Sequence, residues 1–152
     1  MKNLERNTEK QTNNKMDQVV KVATGAFIVK DGKVLLGTGP KFTPYWTVPG
    51  GKLAFGEKSS DCVKREVKEE LNVEIQITAE PIYTEKMVKI SSNLTHFIFI
   101  NFLCRIVTGE PEADGREFTE IKWQKIEEAL NDETINISAR ETLQDFKKLN
   151  KP

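Results

Sequence analysis

Three carboxylates, Glu66, Glu69 and Glu70, stand at spacings i, i+3 and i+4 beside the apolar positions Val63, Val67 and Leu71, which recur every four residues. At about 100° per residue, a helix gathers the carboxylates into a fan roughly 100° wide and sets the apolar residues as the neighbouring stripe. Such a helix packs by one face and presents clustered anions with the other. Glu66 and Glu70 are like charges one turn apart, which costs about 0.2–0.5 kcal/mol unless a cation lies between them. Two readings fit the helix alone: a solvated acidic face with an Arg65–Glu69 ion pair, or a seat for a hard divalent cation.

The surroundings favour the second. Upstream stands Pro49-Gly50-Gly51, whose backbone can approach a ligand closely because no Cβ intervenes. A further carboxylate, Glu57, follows at a fixed offset. Residues 51–73 fit the pattern G-x5-E-x7-R-E-U-x-E-E-x-G-U (U, a bulky apolar residue) at every defined position but one: Gly51, Glu57, Arg65, Glu66, Val67, Glu69, Glu70 and Val73 all fall in place. This stretch resembles the Nudix box. Asn72 stands where that family has glycine; the position asks for a left-handed conformation, which asparagine tolerates next best. The Asp31-Gly32 turn, Val34-Leu35-Leu36, the segment 46–50 and the Glu120–Trp123 stretch are similar to the family's flanking strands. The resemblance therefore runs from about residue 19 to 130.

The resemblance implies an α+β chain, a Nudix-type α/β/α sandwich around a mixed sheet. It also implies a Mg²⁺-dependent hydrolase, with Mn²⁺ as a substitute, that cleaves a nucleoside diphosphate linked to another moiety by water attack on phosphorus. Mg²⁺ suits that reaction because it binds few carboxylates and completes its shell with waters and phosphate oxygens. Carried over residue by residue, Glu69 and Glu70 become the main metal ligands and Glu66 a ligand or the general base. The Gly50 carbonyl becomes a further ligand. Arg65 braces the carboxylates, while Gly51 and Glu57 are structural. An additional acid from outside the box is expected at Glu117, with Glu120 second. Contacts to substrate are expected from Lys41, Tyr45, Trp46, Phe55, Phe97 and His96; the four aromatic residues also have ordinary core packing open to them, and His96 a satisfied place within its strand.

Neither the proline of ADP-ribose enzymes nor the tyrosine of dinucleoside polyphosphate enzymes appears at positions 88–91. Nucleoside triphosphates are therefore the first choice of substrate, and ADP-ribose or nucleotide sugars the alternative. A non-catalytic nucleotide-binding module is the alternative of another class, but all three glutamates are retained. An enzyme acting on RNA 5′ ends and a prenyl diphosphate isomerase are further rivals.

The elements that must position these groups are legible from the wider pattern. At 152 residues the chain fits one domain, expected over residues 19–152 behind a flexible polar tail at 1–18. Lys plus Arg, at 23, equals Asp plus Glu, at 23, so no general electrostatic pull toward nucleic acid exists. Cys62 and Cys104 fall in a helical and a strand pattern and read as packed thiols. With no apolar run of ~18 residues and no apolar signal core, a cytoplasmic monomer or homodimer is expected. Strands are predicted at 22–29, 34–36, 46–48, 73–78, 82–90, 95–107 and 121–126, the sixth of these covered on both faces. Residues 37–44 read as a loop and 91–93 as a turn. Helices are predicted over 59–71, as a turn at 127–130, and through residue 149 from a capping box at Ser138.

Overall fold

The computed structural model describes residues 18–90 and 92–149. Of the expected tail, all but Gln18 lies outside them. β1 (Val20–Lys30) and β2 (Lys33–Thr38) form an antiparallel hairpin. Its turn residues Asp31 and Gly32 both take positive φ, 52° and 73°, the geometry that a two-residue turn matched to strand twist requires. β2 runs to Thr38, so Gly37 belongs to a strand rather than to the loop predicted for it.

The remaining strands are β3 (Gly50–Lys52), β4 (Glu74–Ile77), β5 (Ile82–Ile90), β6 (Asn93–Thr108) and β7 (Glu120–Lys125). They form one mixed sheet in the order β4-β6-β1-β2-β7, with β3 on β1 and β5 on β6. β1 and β6 run parallel, and the β1–β2, β1–β3, β2–β7, β4–β6 and β5–β6 pairings are antiparallel. β6 buries Phe97 and Asn101 on one face and Phe102 and Cys104 on the other, which accounts for its unbroken apolar run.

In place of the strand expected at 46–48, Trp46 and Thr47 make only isolated bridges, to Ile135 and Gly37. The strand lies instead at Gly50–Lys52, with Gly50 opposite Gly25 and Gly51 opposite Thr24. Its two glycines carry no side-chain pattern, which is why periodicity does not reveal it.

α1 (Ser59–Leu71) lies on one face of the sheet and α3 (Ile137–Leu149) on the other; α2 (Ile126–Ala129) is a single turn after β7. α1 packs Val63, Val67 and Leu71 against Ala26, Ile28, Phe102 and Phe118. Each fully buried aliphatic side chain of this kind contributes about 1.5–3 kcal/mol, enough to fix the helix against β1 and β6. α3 packs Ala139, Leu143 and Phe146 against Phe27, Val34 and Leu36. Asn72 closes α1 in the left-handed region, φ 55° and ψ 37°, its N–H donating to the Lys68 carbonyl. α3 does not open on Ser138. The Asn136 Oδ1 accepts the backbone N–H groups of Ser138 (2.9 Å) and Ala139 (3.3 Å), so Asn136 is the cap and Ser138 lies inside the first turn.

Candidate active site

Glu70 is 4% exposed, and its carboxyl accepts the Gly50 N–H at 3.3 Å. The Glu66 carboxyl lies within hydrogen-bonding reach of Glu70. It fills the space above Gly51, where a Cβ would stand 2.2 Å from its carboxyl carbon. Two carboxyls thus press on the backbone of β3. Burial pushes Glu70 up to about 9, outweighing the Gly50 N–H, with Glu66, Glu117 and Asp114 adding repulsion. Burial also raises Glu66, against the opposing pull of Arg65.

Arg65 ties the outer part of the cluster together. Its Nε and Nη2 donate to the two Glu57 oxygens at 2.7 and 3.0 Å, while Nη1 donates to Glu66 at 3.0 Å and Glu69 at 3.2 Å. The guanidinium holds Glu57 down to about 2, as a bidentate charge-assisted pair does. Glu57 also accepts the Ala54 N–H and so fixes the loop before α1. Glu69 is exposed and turned toward Arg65. Among the described residues, no three acidic, histidine or cysteine side chains converge closely enough to enclose an ion, so the third carboxylate stands apart from the Glu66–Glu70 pair. The donor set is nevertheless all oxygen, the chemistry that Mg²⁺ selects. The cradle over Gly51 is one that any side chain there would fill.

Glu117 reaches the site from outside the box. Its charge is felt at Glu70, and Lys41 Nζ lies 3.4 Å from it. Its backbone is seated on Gly39, where a Cβ would stand 2.1 Å from the Glu117 carbonyl oxygen. Glu120, by contrast, is an exposed residue of β7 opposite Thr38. Asp114 was missed in the sequence. Its carboxylate accepts the N–H groups of Arg116, Glu117 and Phe118. Burial pulls it upward, but these backbone donors prevail and leave it below its ordinary value. The Asp114-Gly115 pair is itself a turn signal, which would have marked the loop presenting Glu117.

The recognition candidates scatter. Trp46 is half-buried, with Lys122 Nζ 4.2 Å from its ring centroid. Tyr45 is exposed. Phe55 is fully exposed on the box loop, lining a cavity of about 550 Å³ with Lys21, Lys52 and Glu57. Phe97 is buried and stacks on Phe99, a packing role. His96 pairs with Glu85 at 2.5 Å, so it is satisfied within the sheet. Cys62 and Cys104 are buried free thiols. No helix among the described residues is long and apolar enough to cross a membrane.

Known proteins are similar to this chain. The NUDIX domain family model matches residues 19–146. A putative 8-oxo-dGTP diphosphatase of Bacillus subtilis is 28% identical over 102 residues, 65% of this chain, and this chain spans 64% of that protein's length. The nucleoside triphosphatase NudI of Escherichia coli is 25% identical over 109 residues, 67% of this chain and 76% of its own. The crystal structure of a MutT NUDIX hydrolase from Burkholderia pseudomallei superposes with a TM-score of 0.66 at 25% identity, covering 84% of this chain and 98% of that one. The matched span takes in the whole sheet, the glycine-cradled carboxyl pair and the arginine that braces it, and the chain belongs to the NUDIX domain family.

Proposed function

We propose that this chain is a Mg²⁺-dependent pyrophosphohydrolase of nucleoside triphosphates, folded as a single domain from residue 19 onward. The observation that carries the reading is the Glu66–Glu70 pair held against Gly50 and Gly51. Burial and like charge disfavour ionising both carboxyls together in the metal-free protein, and a divalent cation relieves the conflict. Glu66, Glu69, Glu70 and the Gly50 carbonyl would hold the ion, with Glu117 completing the acidic wall. Bound there, Mg²⁺ supplies charge neutralisation for the diphosphate and acidifies water.

The chain's own residues do the rest. Arg65 fixes the Glu66 and Glu69 oxygens, and Glu57 fixes Arg65. Glu66, oriented by Arg65, is the proposed acceptor of a proton from the attacking water. Lys41 at the rim meets substrate phosphates. Triphosphates are preferred because two relatives bear names of that substrate class. Hydrolysis of a panel of triphosphates, ADP-ribose and nucleotide sugars, with and without Mg²⁺ or Mn²⁺, tests the reading. Metal-dependent release of a nucleotide product is expected to be strongest with triphosphates. Metal-independent turnover, or none with any member, defeats it.

A further inference from the structure

Gly50, Gly25, Asn101 and Ile82 form one row across the sheet: Gly50 pairs with Gly25, Gly25 with Asn101, and Asn101 with Ile82. The row starts at the residue whose N–H meets Glu70. Asn101 stands two strand spacings away, roughly 10 Å. Two glycines leave the first half of the row free of side chains. β3 pairs only with β1 among the described residues, so Gly50 stands on an edge of the sheet.

Asn101 is a buried amide in an otherwise apolar strand, 5% exposed. Its Nδ2 donates to the Ile82 carbonyl and to Thr84 Oγ1, each at 3.1 Å. Both donors are thereby committed, which fixes the direction of the amide. Its Oδ1 has no hydrogen-bond partner among the described residues. That oxygen leans over Gly25, where a Cβ would stand 2.7 Å from it; the same Cβ would meet Val48 at 3.6 Å and Phe27 at 3.7 Å. An acceptor whose direction is fixed by its own donors, and which no group among the described residues occupies, is open to an N–H from a ligand.

We propose that Asn101 is a specificity-determining residue, its Oδ1 accepting an N–H from the edge of the substrate's base. The proposal rests on the hydrolase reading above. The phosphates lie on the α1 side at Glu66 and Glu70, the sugar rounds the edge at Gly50, and the base reaches the α3 side. Gly25 is part of the same device, since any side chain there would displace the oxygen.

The test compares kcat/KM for ATP with that for purine riboside triphosphate, and for CTP with pyrimidin-2-one riboside triphosphate. In each pair the second base has lost every N–H. Wild type is expected to favour at least one amino-bearing parent by about tenfold or more. Asn101→Leu and Gly25→Ala are each expected to bring that ratio to within about a factor of two, mainly by slowing the parent. Gly25→Ala leaves the Asn101 side chain in the protein and acts by crowding its oxygen, so agreement of the two variants separates the loss from a folding defect in Asn101→Leu. A wild-type ratio near one in both pairs, or variants that retain the preference, overturns the proposal. Absence of Mg²⁺-dependent turnover with all four nucleotides would instead overturn the hydrolase reading on which it stands.

Discussion

The Glu66 carboxyl occupies the volume that a side chain at Gly51 would need: a Cβ there would lie 2.2 Å from its carboxyl carbon and 2.5 Å from both oxygens. Glycine at 51 is therefore a steric condition for placing Glu66. Gly51→Ala should swing Glu66 away and lower kcat by at least about tenfold. The change falls on a short edge strand, so the melting temperature should move little. Steady-state kinetics beside a thermal melt check both halves, and unaltered kcat would separate Glu66 placement from catalysis.

Glu70 sets stability against function. Its pKa rises from 4.5 to about 9 on folding, chiefly through burial. Between those values the native state holds a proton that the unfolded chain has released. By linkage, its contribution makes the metal-free protein lose stability as pH climbs from about 4.5 to about 9. Glu70→Gln removes that dependence. The variant should melt higher than wild type at pH 8 without metal, by about 2–4 °C for each kcal/mol relieved. It should also lose turnover by at least ~100-fold and any Mg²⁺-induced gain in melting temperature. A Glu70→Gln variant less stable than wild type throughout pH 5–9 would contradict the assignment.

Arg65 engages Glu57, Glu66 and Glu69 at once, a span that only a planar, forked cation covers. Lysine preserves the charge but can satisfy one or two of these partners. Arg65→Lys is expected to cut kcat by about tenfold with a smaller change in KM. Equal kinetics in the lysine variant would show that charge alone suffices.

The reassigned cap of α3 makes a paired prediction. Asn136→Ala should destabilise the protein by about 0.5–2 kcal/mol, whereas Ser138→Ala should fall within about 0.5 kcal/mol of wild type. Urea denaturation of both variants decides it, and the reverse ranking would restore Ser138 as the cap.

What the sequence revealed followed from where side chains carry the information. Val63, Val67 and Leu71 announced α1 and its buried face, and Asp31-Gly32 announced the hairpin, because periodicity and turn chemistry are local. β3 escaped notice because Gly50 and Gly51 have no side chains to alternate; its pairing with Gly25 and Thr24 is visible only in space. Glu117 could be nominated, but its seat on Gly39 joins residues nearly eighty positions apart. Asn101 reads in sequence as one polar interruption of an apolar strand. Its importance comes from the neighbours that leave its oxygen unmatched.

The two hydrophobic clusters lie on opposite faces of the sheet, α1 anchored in one and α3 in the other. With the base read from the α3 side, as proposed for Asn101, substitutions that reshape that layer would alter which ligand is admitted while Glu66, Glu70 and Arg65 keep their places. A lineage built on this scaffold can change its diet without relearning how to break the bond.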